Sequence, residues 1–307
     1  MDELNITILG AGAIGAYFGV RWEQIGHQVQ YLVRSRRSEQ LRKHGVHLHS
    51  VQGDYTLEQP FVVEDVSDIE FTDLVILAVK GYHLQGAIPE LKDLVQKGAK
   101  VLPLLNGIEH IYTLQDELGE ENVIGGLSYI IATLDEKGHV VHSSQLHDIH
   151  FGPLHFSQHE LCNQLEHVCA DANMRAKQSQ HIMEDLWKKY MFITAFSGVT
   201  TAGNFTVGTI REEQVTYEAT KNVLKEMKIL ANAFDIPLRE ESIQAGILKF
   251  ESLPDEATSS MHQDKRKGLP LEVDHLQGGA LRLAQKAGIS LPYIHMLYSL
   301  IKPYERG

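Results

Sequence analysis

Ile6-Thr7-Ile8-Leu9-Gly10-Ala11-Gly12-Ala13-Ile14-Gly15 decides how the chain is read. A short apolar run enters the pattern G-x-G-x-x-G, and Ala13 to Ile25 continues from it with helical spacing. In that setting the glycines differ in role. Gly10 permits a tight turn, Gly12 lets backbone approach a pyrophosphate, and Gly15 lets helix and strand pack closely. The pyrophosphate would rest on the first N–H groups of the helix, at the positive end of its dipole. Six residues of pattern also suit a glycine-rich turn in any α/β protein. The strand before and the helix after are what select a dinucleotide site made by Gly10, Ala11, Gly12, Ala13, Ile14 and Gly15.

The next strand-like run, Gln28 to Val33, decides which dinucleotide. A carboxylate about 20 residues beyond the glycines would bind ribose hydroxyls, but here the run ends in Arg34-Ser35-Arg36-Arg37, with no carboxylate before Glu39. Arginine clamps a 2′-phosphate that a carboxylate would repel, so NADPH is the expected cofactor. Arg34 is the first choice because it directly follows the strand; Arg36 and Arg37 also read as solvated residues of a helix start.

Farther along the chain, Ile6 to Leu9, Gln28 to Val33, Leu74 to Val79 and Lys100 to Leu105 are continuously apolar, as buried parallel strands are. Helical patterns over Ala13 to Ile25, Arg36 to Lys43 and Tyr82 to Gln96 alternate with them, giving the βαβ rhythm of a doubly wound sheet. Residues 123 to 151 alternate more and suggest added antiparallel strands, and a helix from Glu160 to Ala170 and a strand near Met174 to Gln178 close the domain. From about residue 180 the pattern is helical, with breaks expected at Gly203-Asn204, Gly208, Pro237, Pro254 and Gly268-Leu269-Pro270. The expected architecture is α/β, a Rossmann-type domain over 1–180 followed by an all-helical domain over 181–307.

The 307 residues carry 40 Asp and Glu against 28 Lys and Arg, a formal net charge of −12. At a sequence pI near 5.8 the chain would repel nucleic acid, and an anionic ligand must find a local basic patch. Tyr31 to Lys43 is such a patch, with five cations against Glu39. There is no apolar run of about 18 residues to span a membrane, and Met1-Asp2-Glu3-Leu4 has the wrong charge for a secretory leader. Cys162 and Cys169 are seven apart in a helical stretch, roughly 10 Å along its axis and beyond disulfide reach. A cytoplasmic, thiol-reduced protein is expected. The six histidines from His139 to His159 give no clean three-ligand set with a carboxylate and read as surface and turn residues, so no metal is expected.

Ligands of open α/β sheets lie at the carboxyl ends of strands. Lys80 and Asn106 end two of the runs and are candidates there, although Asn106-Gly107 also reads as a helix cap or a turn. In the helical half, the helix beginning near Asp185 carries no charge after Lys189 for more than four turns, as a buried helix does. A lysine at its start would be partly desolvated and release its proton more easily. Lys188 and Lys189 lie about 100° apart on the helix, and the pattern alone does not choose between them. The same helix serves either as domain core or as a homodimer contact. Ser260 with Gln263 reads as a capping box, and Glu272 as a first-turn carboxylate.

Together these pieces resemble the ketopantoate reductase (2-dehydropantoate 2-reductase) family over essentially the whole chain. The resemblance is carried by the glycine motif, Arg34, Ala78-Val79-Lys80, Leu105-Asn106-Gly107, Leu186-Trp187-Lys188-Lys189, Ser259-Ser260-Met261-His262-Gln263-Asp264 and Leu271-Glu272-Val273-Asp274. It implies that Arg34 holds the 2′-phosphate of NADPH, that Lys80 and Asn106 contact the cofactor and help orient substrate, and that Lys189 is the catalytic lysine. It further implies that Ser260 binds the substrate carboxylate and that Glu272 hydrogen-bonds substrate or nicotinamide ribose. The implied reaction reduces a 2-oxo acid, ketopantoate in the reference members, to its 2-hydroxy acid in pantothenate biosynthesis. Those members carry Asn four and eight residues beyond the lysine, where this chain has Ile193 and Ser197. Ser197 keeps a hydrogen-bonding group for substrate, Ile193 does not, and Thr194 lies about 100° off that face. A sibling reductase of another small 2-oxo acid and a non-catalytic NADPH-binding sensor are the competing readings.

Overall fold

The structure, a computed structural model, describes residues 4–172 and 174–307. The chain divides into two compact units, one of residues through 105 together with 111–182, the other of 106–110 together with 183–307.

In the first unit the strands are β1 (Asn5–Leu9), β2 (Gln28–Leu32), β3 (Val46–Ser50), β4 (Tyr55–Leu57), β5 (Phe61–Val63), β6 (Leu74–Leu77), β7 (Lys100–Pro103), β8 (Gly125–Leu134), β9 (Val140–Gly152) and β10 (Arg175–Gln178). The helices are α1 (Ala13–Glu23), α2 (Ser35–His44), α3 (Leu84–Gln96), α4 (Glu109–Leu118) and α5 (His159–Asp171), with the first residues of α4 belonging to the other unit. A five-stranded sheet has the order β5-β2-β1-β6-β7, every neighbouring pair parallel. Alternate residues feed opposite faces: Ile6, Ile8, Val29, Tyr31, Leu74 and Ile76 join one apolar cluster, while Leu9, Leu32, Val75 and Leu77 join another with Leu84, Leu91 and Leu94 of α3. Burial on both faces is why these strands read as unbroken apolar runs.

β8 and β9 are the antiparallel strands expected over 123–151, and β10 is the strand expected near Met174 to Gln178. They build a second sheet, in which β9 pairs with β8, with β10 and with β3, and β3 with β4. β3, β4 and β5 were not expected, although Val46 and Leu48, alternating with His47 and His49, carry a period-two signal. Cys162 and Cys169 are buried, unpaired thiols on α5.

The second unit contains α6 (Ile182–Gly203), α7 (Val207–Glu212), α8 (Gln214–Asn232), α9 (Glu240–Glu251), α10 (Ser260–Arg266), a π-helical turn over Asp274–Gly278, α11 (Gly279–Ala287) and α12 (Pro292–Ile301). α6 ends at Gly203, and Asn204 follows with φ of 55°. Gly208 is not the expected break. It lies inside α7, donates its N–H to the Asp255 carbonyl at 2.8 Å, and has no room for a Cβ, which would meet Asp255 Cβ at 2.8 Å. The capping box is also displaced: Ser259, not Ser260, caps α10 by accepting from the His262 N–H at 3.1 Å. Ser259 is chosen because it is buried and shares a 2.9 Å hydrogen bond with Thr200 of α6. Among the described residues no helix is long and apolar enough to cross a membrane.

Candidate functional site

The glycine motif has the geometry that a dinucleotide requires. Gly10 sits at φ of 97°, where L side chains are strained, and a Cβ there would meet Val79 Cγ1 at 2.8 Å. A Cβ on Gly15 would overlap the Gly10 carbonyl oxygen and come within 2.9 Å of Ile8 Cγ2, so α1 packs on β1 only because this residue is glycine. Gly12 differs, since a Cβ there would have nothing within 4 Å. Its backbone faces open space at the N-terminus of α1, where no side chain caps the helix. Uncapped N–H groups, a positive dipole end and free approach to Gly12 together fit a pyrophosphate.

Of the three arginines after β2, Arg37 is engaged in structure. Its Nε donates to the Ala11 carbonyl at 2.8 Å and its Nη1 to the Gly138 carbonyl at 3.0 Å, and burial lowers its pKa. Arg37 therefore braces the glycine loop. Arg34, at the N-cap position of α2, and Arg36 are exposed. Lys80 stands three residues beyond β6 rather than at its end, half-buried at the start of a 3-10 turn.

The remaining candidates belong to the second unit. Asn106 is not a helix cap, because α4 begins only at Glu109. It forms a turn with Gly107, whose φ is 93°, and a Cβ on Gly107 would stand 3.3 Å from His275 Nε2. That nitrogen donates to the Asn106 carbonyl at 2.7 Å. Arg282 grips both carboxylate oxygens of Glu109 at 3.0 and 2.7 Å and donates to Asp274 at 3.0 Å. Asp274 also accepts from the Tyr298 hydroxyl and from Lys302. The hydroxyl of Tyr190, the residue after Lys189, donates to the Leu276 carbonyl. The Asn106 turn, the segment beginning at Glu272 and α6 are thus held in one framework.

Burial separates the two lysines. Lys188 is exposed and pairs with Glu184 at 2.7 Å, whereas Lys189 is only 8% exposed. Burial, helped by the charge of Lys249 and opposed by Glu272, itself buried, lowers the Lys189 ammonium to about 7. His110 is 1% exposed with neither ring nitrogen hydrogen-bonded, and burial holds its pKa well below the ordinary value, with His275 and Lys189 adding to the effect. An ammonium that titrates near neutrality beside a carboxylate is suited to donating a proton.

Farther along α6, Ser197 is buried, Ile193 and Phe196 are half-buried, and Thr194 is fully buried. The Thr194 carbonyl accepts from Gln277 Nε2 at 3.1 Å. Ser260 is exposed at the first position of α10. Lys249, His110, His275 and Arg282 were not found from sequence. Asp274 was noticed only within the Leu271-Glu272-Val273-Asp274 match, because its partners are remote in the chain.

Two of the histidines expected at the surface and in turns are not there. His142 and His147 are buried; His142 bonds Ser50 Oγ at 2.8 Å and the Leu146 carbonyl at 2.9 Å, and His147 meets the Tyr17 hydroxyl at 3.2 Å. An irregularity in the β8–β9 ladder between their positions lets both face inward, where hydroxyls and a carbonyl satisfy them. Among the described residues no group of three or more His, Cys, Asp or Glu is placed to hold a metal ion.

Residues 6–155 match the family model described as Ketopantoate reductase PanE/ApbA, and residues 181–305 match Ketopantoate reductase PanE/ApbA C terminal. The uncharacterised oxidoreductase YkpB of Bacillus subtilis is 31% identical over 306 residues, covering 98% of this chain and 99% of its own length. Among solved structures, a PanE/ApbA family ketopantoate reductase from Ralstonia eutropha aligns with a TM-score of 0.88 at 26% identity over 98% of each chain. A D-mandelate dehydrogenase, solved with NADH and anilino(oxo)acetate, has the same fold, with a TM-score of 0.88 at 24% identity over 98% of each chain.

Proposed function

Because this chain belongs to the ketopantoate reductase family of oxidoreductases, we propose that it reduces a small 2-oxo acid to the 2-hydroxy acid with NADPH. The observation that carries the reading is the buried Lys189 ammonium, whose pKa near 7 makes it a proton donor at neutral pH.

NADPH, when bound, supplies the hydride that adds to the keto carbon. Gly10, Ala11, Gly12, Ala13, Ile14 and Gly15 would hold the pyrophosphate, Arg34 the 2′-phosphate, and Lys80 and Asn106 the nicotinamide half. As the carbon–hydrogen bond forms, the carbonyl electron pair moves onto oxygen. Lys189 stabilises that developing alkoxide and gives it a proton. Glu272 would orient the substrate or the nicotinamide ribose, while Ser260 and Ser197 would hydrogen-bond the acid. The two buried, unpaired thiols suit a reducing cytoplasm.

Purified protein should oxidise NADPH in the presence of members of a 2-oxo acid panel that includes ketopantoate. NADH is the control, because the D-mandelate dehydrogenase of the same fold was solved with it. Tight NADPH binding with no turnover of any acid would replace the enzyme by a cofactor sensor. Ketopantoate turnover would assign the reaction of pantothenate biosynthesis; turnover confined to other acids would assign a sibling reductase.

A further inference from the structure

From Lys189 to Thr201 every side chain of α6 is buried except two, Ile193 and Phe196. At about 100° per residue, Ile193 lies about 40° and Phe196 about 20° from the direction of Lys189. The open stripe of this helix is therefore the stripe that carries the ammonium.

That stripe is hydrocarbon and aromatic. Ile193 and Phe196 pack against the cluster of Phe192, Val199, Val207, Ile210 and Phe250, and Phe196 stacks on Phe192 with centroids 5.7 Å apart. The hydroxyl-bearing residues of the helix are closed off from solvent. Thr194 and Ser197 are buried, and the Thr200 hydroxyl is bonded to the Phe196 carbonyl at 2.7 Å and to Ser259 at 2.9 Å. On the first turn of α6 beyond the ammonium, a molecule seated there meets the hydrocarbon of Ile193, and the Ser197 hydroxyl stands only on the turn after it.

We propose that Ile193 and Phe196 form the wall that receives the substrate side chain, so that the preferred substrate is a 2-oxo acid with an apolar side chain rather than one with a hydroxyl near the keto carbon. The inference rests on the 2-oxo acid reductase reading and names the substrate class within it. A hydroxyl laid on Ile193 gives up water and gains no partner, whereas a methyl group gains contact. Apolar walls reject an added hydroxyl only moderately, so the expected preference is about 10- to 100-fold in kcat/KM.

The test uses a pair differing only in that hydroxyl, 3,3-dimethyl-2-oxobutanoate and its 4-hydroxy derivative ketopantoate, with NADPH and the full chain. The wild type should favour the first acid, and Ile193→Asn and the better-tolerated Ile193→Thr should both move the ratio toward the second. A wild type that prefers ketopantoate overturns the inference while leaving the reductase reading intact. Folded Ile193 variants with an unchanged ratio also overturn it, and a change in assembly size on sedimentation would then assign the stripe to a contact between copies. Turnover of neither acid, nor of any other 2-oxo acid, removes the reductase reading and the inference with it.

Discussion

His275 donates from Nε2 to the Asn106 carbonyl across 2.7 Å, and since a carbonyl only accepts, the proton is fixed on that nitrogen. The bond joins residues 169 apart in sequence. It clamps the Asn106-Gly107 turn to the segment that begins at Glu272.

His275→Phe keeps a ring over Gly107 but leaves the Asn106 carbonyl without this donor. A lost hydrogen bond of this kind costs about 1 kcal/mol, or roughly 2–4 °C in melting temperature for a domain of this size. We expect that loss together with a lower kcat/KM and unchanged NADPH affinity. A melting curve and kcat/KM both equal to wild type would show that the bond positions nothing.

Lys189 must be protonated to donate. Because its pKa is lowered to about 7, the proton is lost as pH rises, and kcat/KM should fall through an alkaline limb near pH 7. Lys249 lowers this pKa and Glu272 raises it, so Lys249→Met should move the limb to higher pH and Glu272→Gln to lower pH. Lys189→Ala should cut kcat by about 10²- to 10⁴-fold and leave the cofactor affinity in place. A pH profile unaffected by Lys249→Met would rule out that coupling.

Arg34 and Arg37 should separate in a binding experiment. Arg34→Ala should weaken NADPH about 10- to 100-fold, as expected for a lost charge-assisted bond, with little change for NADH. Arg37→Ala withdraws the donor to the Ala11 carbonyl, loosening the glycine loop, and should weaken both cofactors alike. Equal loss of both cofactors in Arg34→Ala would exclude its 2′-phosphate role.

Gly12 and Gly15 make a second contrasting pair. A methyl group on Gly15 collides with the Gly10 carbonyl and Ile8, so Gly15→Ala should cost about 1–3 kcal/mol of stability as well as cofactor binding. Gly12→Ala has nothing within 4 Å to strike, so thermal melting should be unchanged while titration shows weakened dinucleotide binding.

The local patterns of this chain were sufficient for the glycine turn, the parallel strands and the helical second half, because turn chemistry and hydrophobic period are written in consecutive residues. β1, β2, β6 and β7 were legible because both faces are buried and the runs are continuous. β3 and β4 were not, because short strands of a second sheet are defined by remote partners, Leu48 by Val140 among them.

The chemistry of the site depended on such partners still more. Lys188 and Lys189 are equivalent in a helical pattern, and tertiary packing made one an exposed partner of Glu184 and the other a buried ammonium near neutrality. Ser259 displaced Ser260 as the cap because Thr200, 59 residues away, was there to bond it. What the sequence alone determined was the frame and the residue types at its edges. Which side chains lost their water, and therefore changed their proton affinity, was decided only when distant segments closed around them, since desolvation and charge act through space rather than along the chain.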